Sequence, residues 1–420
     1  MPKWTHILPF DSSRAAFCVA KHPHYPLIAI GKTDHFVHLV QLDLDAPEEL
    51  SMSPERKRSP WIVKWHPTAI DRLVVADLSG KITLYTIQGL PWAATWVEEV
   101  SWQLTDQNYK SASPTSLFFH PVDPSYLFVS THSAVYLIDT TVDPSHGLTE
   151  IEGADRLFTS TTTVRTSGYH LKLSIDALVP FVTARSSGLV AAVRGQDWVR
   201  GHERHMAQDT YIIPYKFAGK PKTRFDAASC FISRTETIHE SSLVVHNGLL
   251  AVQGHAAESA VELPQAFPPL PEPGKVPKTI EQMEEGLFRK LEEAEAYPAL
   301  LVVDLEAVQG IGPQKPAMQK IELDYRKPHP TSLCWCGDRL VIGPTRLGVN
   351  VSFRVFDASK GTLVEKPPMS TPQSELDGSH MSMLSDGFHN SNTLEPAGDD
   401  RLISATPNGI VAIAFVDSSE

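Results

Sequence analysis

Three stretches of the chain open on the same residues and continue in the same order. Residues 21–40 read KHPHYPLIAIGKTDHFVHLV, residues 65–85 read WHPTAIDRLVVADLSGKITLY, and residues 119–138 read FHPVDPSYLFVSTHSAVYLI. Each has a His-Pro pair, a short apolar run, a polar break and a second apolar run. Pro23, Pro67 and Pro121 stand 44 and 54 residues apart. Proline presets φ near −65° and suits the first inner position of a turn. A short run rich in β-branched and aromatic residues after such a turn reads as a buried strand. Copies of so small a unit cannot bury their own faces, so they must stack on one another.

Four later segments follow the same order with other turn residues. In HLKLSIDALVPFVTARSSGLVAAVR, residues 170–194, Asp176-Ala177 stands for His-Pro and Ser187-Gly188 makes the second break. In SLVVHNGLLAVQ, residues 242–253, Asn247-Gly248 joins two apolar runs, and this dipeptide accepts the positive φ of a tight hairpin. Its third strand is expected at ALLVVDLE, residues 299–306, after a long insertion. The sixth and seventh segments are residues 332–357 and 393–416. The third strands are expected to start near residues 36, 81, 134, 189, 299, 349 and 410. Short strands at this spacing, with hardly any helical periodicity, predict an all-β fold. Packing three- or four-stranded sheets radially buries both faces and leaves only short edges, which is a β-propeller.

The segment VSFRVFDASKGTLV, residues 351–364, and the segment ADLSGKITLYTI, residues 76–87, resemble repeats of the WD-repeat (WD40-like) propeller family. Phe356-Asp357 stands where that family carries Trp-Asp, with Ile138-Asp139 and Val303-Asp304 as weaker counterparts. No repeat ends in Trp-Asp, and the family's Gly-His pair is not recognisable. The resemblance implies a single seven-bladed propeller over residues 1–420. Its blades are expected at about 11–50, 59–105, 113–158, 161–222, 225–325, 329–368 and 384–420. Residues 4–10 are expected to act as a latch strand closing the last blade, as the family often does. The alternative is eight blades, with YIIPYKF and AASCFIS, residues 211–217 and 227–233, inside the long step after residue 189.

Blade five carries the insertion, residues 254–298, which is Pro-rich over 264–277 and then helical over 278–297. Thr279 and Gln282 form a capping box, and Pro298 ends the helix. Ile280, Met283, Leu287 and Leu291 fall on one stripe. That stripe either packs on the propeller rim or offers a partner-binding helix.

Other candidates reduce to structural roles. His22, His24, His35 and His38 are clustered, but His35 and His38 on one strand would point to opposite faces, and no further ligand spacing completes a metal site. His202 and His205 lack the longer metalloprotease spacing. Cys334 and Cys336 share a strand face and read as core. PERKRSP, residues 54–60, reads as a solvated loop between blades, and Ser53 and Ser59 each precede proline. Neither a phosphate-cradling glycine loop nor a nucleophile elbow occurs. No catalytic residue, cofactor or metal is therefore predicted.

With 42% hydrophobic and 20% charged residues, the chain can build a large core. A net charge of −12 disfavours a generally basic nucleic-acid binder. No apolar run approaches the roughly 18 residues of a membrane span. Four scattered cysteines and no secretory signal point to the cytoplasm or nucleus. The expected function is a non-catalytic scaffold for other proteins in an intracellular complex. The alternatives are a propeller enzyme with a central-channel site and a nucleic-acid-associated nuclear subunit, which would show a local basic patch.

Overall fold

A computed structural model describes residues 2–9, 16–42, 48–91, 93–105, 112–153, 172–199, 202–225, 230–235, 243–256, 297–308, 318–323, 332–347, 350–359, 362–365, 369–370, 394–396, 401–406 and 409–415. These residues form seven antiparallel sheets, six of four strands and one of five. The one helix among them is the single turn Pro144–Gly147.

The first three sheets repeat closely. Sheet one comprises Ala16–Lys21, Leu27–Lys32, Val37–Gln41 and Glu48–Met52. Sheet two comprises Pro60–Trp65, Arg72–Asp77, Lys81–Gln88 and Thr95–Gln103. Sheet three comprises Pro114–Phe119, Tyr126–Thr131, Val135–Asp139 and Leu148–Glu150. In each, the three His-Pro pairs fall in the turn between the first and second strands. Each first strand also carries a bulge near its start, between Ala16 and Cys18, Pro60 and Ile62, and Pro114 and Ser116.

Sheet four comprises Lys172–Val182, Ser187–Val199, His202–Pro214 and Cys230–Thr235. It departs from the sequence reading. Asp176-Ala177 is not a turn but a bulge between Ile175 and Ala177 inside one 11-residue strand. Ser187-Gly188 does not break the chain before a third strand; it opens the second, and the third starts at His202. The described residues of YIIPYKF and AASCFIS belong to this same sheet instead of forming a separate one. Tyr211 and Ile212 on the third strand pair with Phe231 and Cys230 on the fourth, so the boundary expected at 222–225 moves past residue 235. Strands of 11 to 13 residues consumed the chain length that suggested an extra unit.

Sheet five comprises Leu243–His246, Leu249–Ala256, Tyr297–Asp304 and Met318–Glu322. Asn247 and Gly248 take φ of 46° and 77°, the left-handed pair that the tight hairpin needs. The second and third strands pair from Leu249↔Asp304 to Ala256↔Tyr297, so the insertion joins two hydrogen-bonded neighbours. Sheet six comprises Ser332–Cys336, Arg339–Leu347, Asn350–Ser359 and Thr362–Glu365, with Met369–Ser370 as its fifth strand. Sheet seven comprises Leu394–Pro396, Arg401–Thr406 and Gly409–Phe415, and its fourth strand is Pro2–Pro9 from the other end of the chain.

The core lies between sheets. Side chains alternate faces along a strand. On Arg72–Asp77, Leu73 and Val75 therefore pack with Ala29, Val37 and Leu39 of sheet one, while Val74 and Ala76 pack with Leu127, Val129 and Ile138 of sheet three. Similar clusters join sheets three and four, four and five, and five and six. The second strand of sheet one is covered on both faces, which is why LIAIGK is buried throughout and reads as an unbroken apolar run. The outer strand Thr95–Gln103 is largely exposed and correspondingly rich in polar residues. Cys334 and Cys336 are buried and form no disulfide, as their shared face suggested.

Candidate interaction face

Antiparallel alternation puts every first-to-second turn and third-to-fourth loop at one end of the sheets. We call that end the turn face. Its turns are held by buried histidines. His22 Nδ1 accepts the backbone N–H groups of His24 and Tyr25 at 3.0 and 2.9 Å. His66 Nδ1 accepts those of Thr68 and Ala69 at 3.2 and 2.8 Å. His120 Nδ1 accepts those of Val122 and Asp123 at 3.2 and 2.9 Å. Two donors on Nδ1 leave the proton on Nε2. From there His22 donates to the Ile70 carbonyl of the next sheet's turn, at 2.7 Å. His66 likewise bonds the Pro124 carbonyl of sheet three.

The series ends at His120, whose Nε2 has no hydrogen-bond partner and whose ring meets Phe217 edge-on at 5.0 Å. In sheet four Thr183 takes the capping role, its Oγ1 accepting from Arg185 and Ser186 at 3.3 and 3.0 Å. Between sheets five and six, the Asn247 side-chain amide donates to Asp338 Oδ1 at 3.2 Å. Burial lowers the pKa of all three histidines, because it disfavours the charged ring. A protonated Nδ1 would also lose both turn bonds.

These fixed turns display apolar side chains. Ile70 is 45% exposed, Val122 59% and Val182 51%, and each sits in or beside a first-to-second turn of sheets two, three and four. Val142, in the third-to-fourth loop of sheet three, is 41% exposed. The exposed Pro23, Pro67 and Pro121 extend the same apolar surface. The sequence carried a signal for this, since Ile70 and Val122 are apolar residues inside turns that already have their buried anchors.

The opposite end is largely polar, with Met52 as its one exposed large apolar side chain among the described residues. Arg56, expected in a solvated loop, is instead buried. Its guanidinium donates to Asp77 Oδ2, Thr83 Oγ1, Tyr85 Oη and the Lys81 carbonyl at 3.0–3.1 Å. Lys57 and Arg58 beside it remain exposed. Asp77 Oδ1 accepts the N–H groups of Ser79 and Lys81, closing the turn that Gly80 completes. Ser53 is also buried, its hydroxyl donating to the Pro54 carbonyl and accepting from Val37 N–H. His38 Nε2 lies 2.9 Å from Asp34 Oδ2; its Nδ1 lies 3.1 Å from Glu49 Oε2 but makes no hydrogen bond. His35 is not on the strand with His38; it occupies the preceding turn with φ of 72°. His22, His24, His35 and His38 are thus dispersed over two ends of sheet one. Among the described residues, no group of three histidine, cysteine or carboxylate side chains is placed to hold a metal.

The stripe Ile280, Met283, Leu287 and Leu291 lies outside the described residues, as do 264–277. The flanking strands show that the insertion leaves from the end opposite the turn face. His202 and His205 lie on the third strand of sheet four, paired with Val199 and Gln196.

The sequence matches no family model and no curated protein. The solved structures that match this chain include two of the same protein from different fungi. The Sqt1 of Saccharomyces cerevisiae is 13% identical, with 99% of this chain and 100% of that one covered and a TM-score of 0.49. The Sqt1 of Chaetomium thermophilum is 11% identical, with the same coverage and a TM-score of 0.51. The latter supports a WD40-like β-propeller fold for this chain.

Proposed function

We propose that the chain is a closed seven-bladed propeller that acts as a non-catalytic protein-interaction scaffold, a subunit or adaptor of an intracellular complex. Two observations favour closure. First strands of successive sheets lie side by side, and those of sheets seven and one meet. Pro2–Pro9 completes the sheet that ends the chain. Buried cysteines outside any disulfide, Cys18, Cys334 and Cys336, suit a reducing compartment. Among the described residues, no helix is long and apolar enough to cross a membrane.

The observation that carries the reading is the row of exposed Ile70, Val122 and Val182 on turns fixed from within. Exposed apolar side chains on the turns of three successive sheets favour a surface where another protein binds. The triple variant Ile70→Asp, Val122→Asp, Val182→Asp tests it, with capture from native cells under mild salt. The wild-type chain should retain a stoichiometric partner and the variant should lose it at an unchanged melting temperature. No partner for the wild type, or equal recovery by the variant, would overturn the reading.

A further inference from the structure

We propose that the turn-face corner of sheet four receives an acidic peptide segment with apolar anchors. The proposal rests on the scaffold reading of this face and specifies the partner's chemistry. Residues 215–225 read YKFAGKPKTRF, four cations without an acid in a chain of net charge −12. This loop joins the third and fourth strands of sheet four. Its apolar residues point inward: Tyr215, Phe217 and Phe225 join the core between sheets three and four. Lys216, Lys220, Lys222 and Arg224 alternate with them and are exposed.

The loop is held in place. Tyr215 Oη donates to the Lys222 carbonyl at 2.7 Å, and Phe225 N–H donates to the Glu152 carbonyl at 3.0 Å. At the tip, Gly219 takes φ of 82°, and a Cβ there would meet nothing within 4 Å, so the bend projects into open space. Little ordering entropy remains to be lost when a partner binds such a loop.

Strand register puts this charge beside the apolar row. Val182 pairs with Ser187, and the Ser187 hydroxyl donates to the Tyr215 carbonyl at 2.8 Å. Lys216 therefore leaves the sheet next to exposed Val182 and Arg185. Carboxylates also adjoin this corner, and they are fewer than its five cations Arg185, Lys216, Lys220, Lys222 and Arg224. Exposed Glu306 and half-buried Asp304 of sheet five lie beyond Gly248 and Thr183, on the side away from the loop. Asp123 keeps its negative charge, which the Ser125 N–H and hydroxyl stabilise, and it sits in the turn of sheet three. Glu152, whose backbone pairs with Thr223 and Phe225, lies at the Arg224 end of the loop. The loop itself carries four cations and no acid, so its projecting face, with Lys216 and Lys220, is the positive side of this corner.

Cations alone would suit a nucleic-acid backbone equally well. The adjacent Val122 and Val182 decide for a peptide, because half-exposed aliphatic side chains gain from burying apolar residues and gain nothing from phosphates. Complementary charge would steer such a segment to the face and set its register.

Selection of binders from a random peptide library by the full chain, with a single-stranded oligonucleotide as a parallel probe, tests this. Selected peptides should be enriched in Asp and Glu interspersed with Leu, Ile or Phe. A selected peptide should lose about tenfold in affinity to the Lys216→Glu, Lys220→Glu variant, a few-fold for each exposed charge contact, and should weaken with added salt. Val182→Asp should weaken it as well. Basic or charge-neutral selections, no selection, affinity indifferent to the charge reversal, or oligonucleotide binding in place of peptide binding would each overturn the proposal. The native-cell capture of the apolar triple variant is independent of these outcomes, so the scaffold reading can survive them.

Discussion

Replacing His66 by Phe separates the hydrogen-bonding role of the turn histidines from their packing. Phenylalanine keeps an aromatic ring against Phe119, whose centroid lies 4.8 Å from that of His66. It deletes the Nδ1 acceptor shared by the Thr68 and Ala69 N–H groups, and the Nε2 donor to the Pro124 carbonyl. Thr68 is exposed, so water can recover its N–H; Ala69 and Pro124 are half-buried. Each buried group left unsatisfied costs about 1–3 kcal/mol. The low end applies at the edge of a turn, so the sum is about 2 kcal/mol. Equilibrium urea unfolding at pH 7.5 should show that loss.

The pH profile should then identify the ring. Burial first, and the Arg72 charge second, hold the His66 pKa below its ordinary 6.5. Below that value the unfolded chain binds the proton more readily than the folded one, so stability rises with pH up to about 6.5. It is lost as pH falls from 6.5 toward the lower folded pKa, by at most about 1.4 kcal/mol per pH unit for each such ring. His22 and His120 shift in the same direction, so the wild-type chain should weaken in acid through three rings, and H66F through two. A variant as stable as wild type at pH 7.5, or one with an unchanged acid slope, would refute the account of these turns.

Arg56→Ala strands the buried Asp77 carboxylate and should cost about 3–5 kcal/mol by urea unfolding, whereas Lys57→Ala beside it should stay within about 0.5 kcal/mol. Deleting residues 1–10 removes the strand paired from Pro2↔Phe415 to Pro9↔Gly409 and should lower the melting temperature by several degrees; an unchanged melting temperature would contradict closure through that strand. The Cys18 thiol is pushed up to about 12 by burial, so a thiol-reactive probe at pH 8 should leave Cys18 unlabelled in the native chain and label it only on unfolding, as read by peptide mass mapping.

Local turn chemistry was legible in the sequence, and long-range pairing was not. The His-Pro turns and Asn247-Gly248 could be read because a few adjacent residues determine the backbone there. Sheet four could not, because a bulge at Asp176 and a turn at the same place leave similar sequence traces. The difference lies in its partners, Val193 and Ala192, on the next strand. Arg56 was misread for the same reason. A charge in the run PERKRSP reads as solvated unless Asp77, Thr83 and Tyr85, 21 to 29 residues away, are known to surround it. The exposed row of Ile70, Val122 and Val182 was present as apolar residues in turns, but only the sheet ends bring the three together. The basic loop at 216–224 was visible as a run without acids. Its meaning depends on strand register, which places Tyr215 beside Ser187 and hence beside Val182.

Site-specific photo-crosslinking tests the central claim that the turn face is where partners bind. A photoreactive phenylalanine analogue is placed at position 122 on the turn face, and separately at position 58 on the opposite end, where Arg58 is exposed. In native cells, position 122 should give a discrete crosslinked protein band that Ile70→Asp and Val182→Asp abolish, and position 58 should not give that band. The same band from position 58 with none from position 122 would contradict the account.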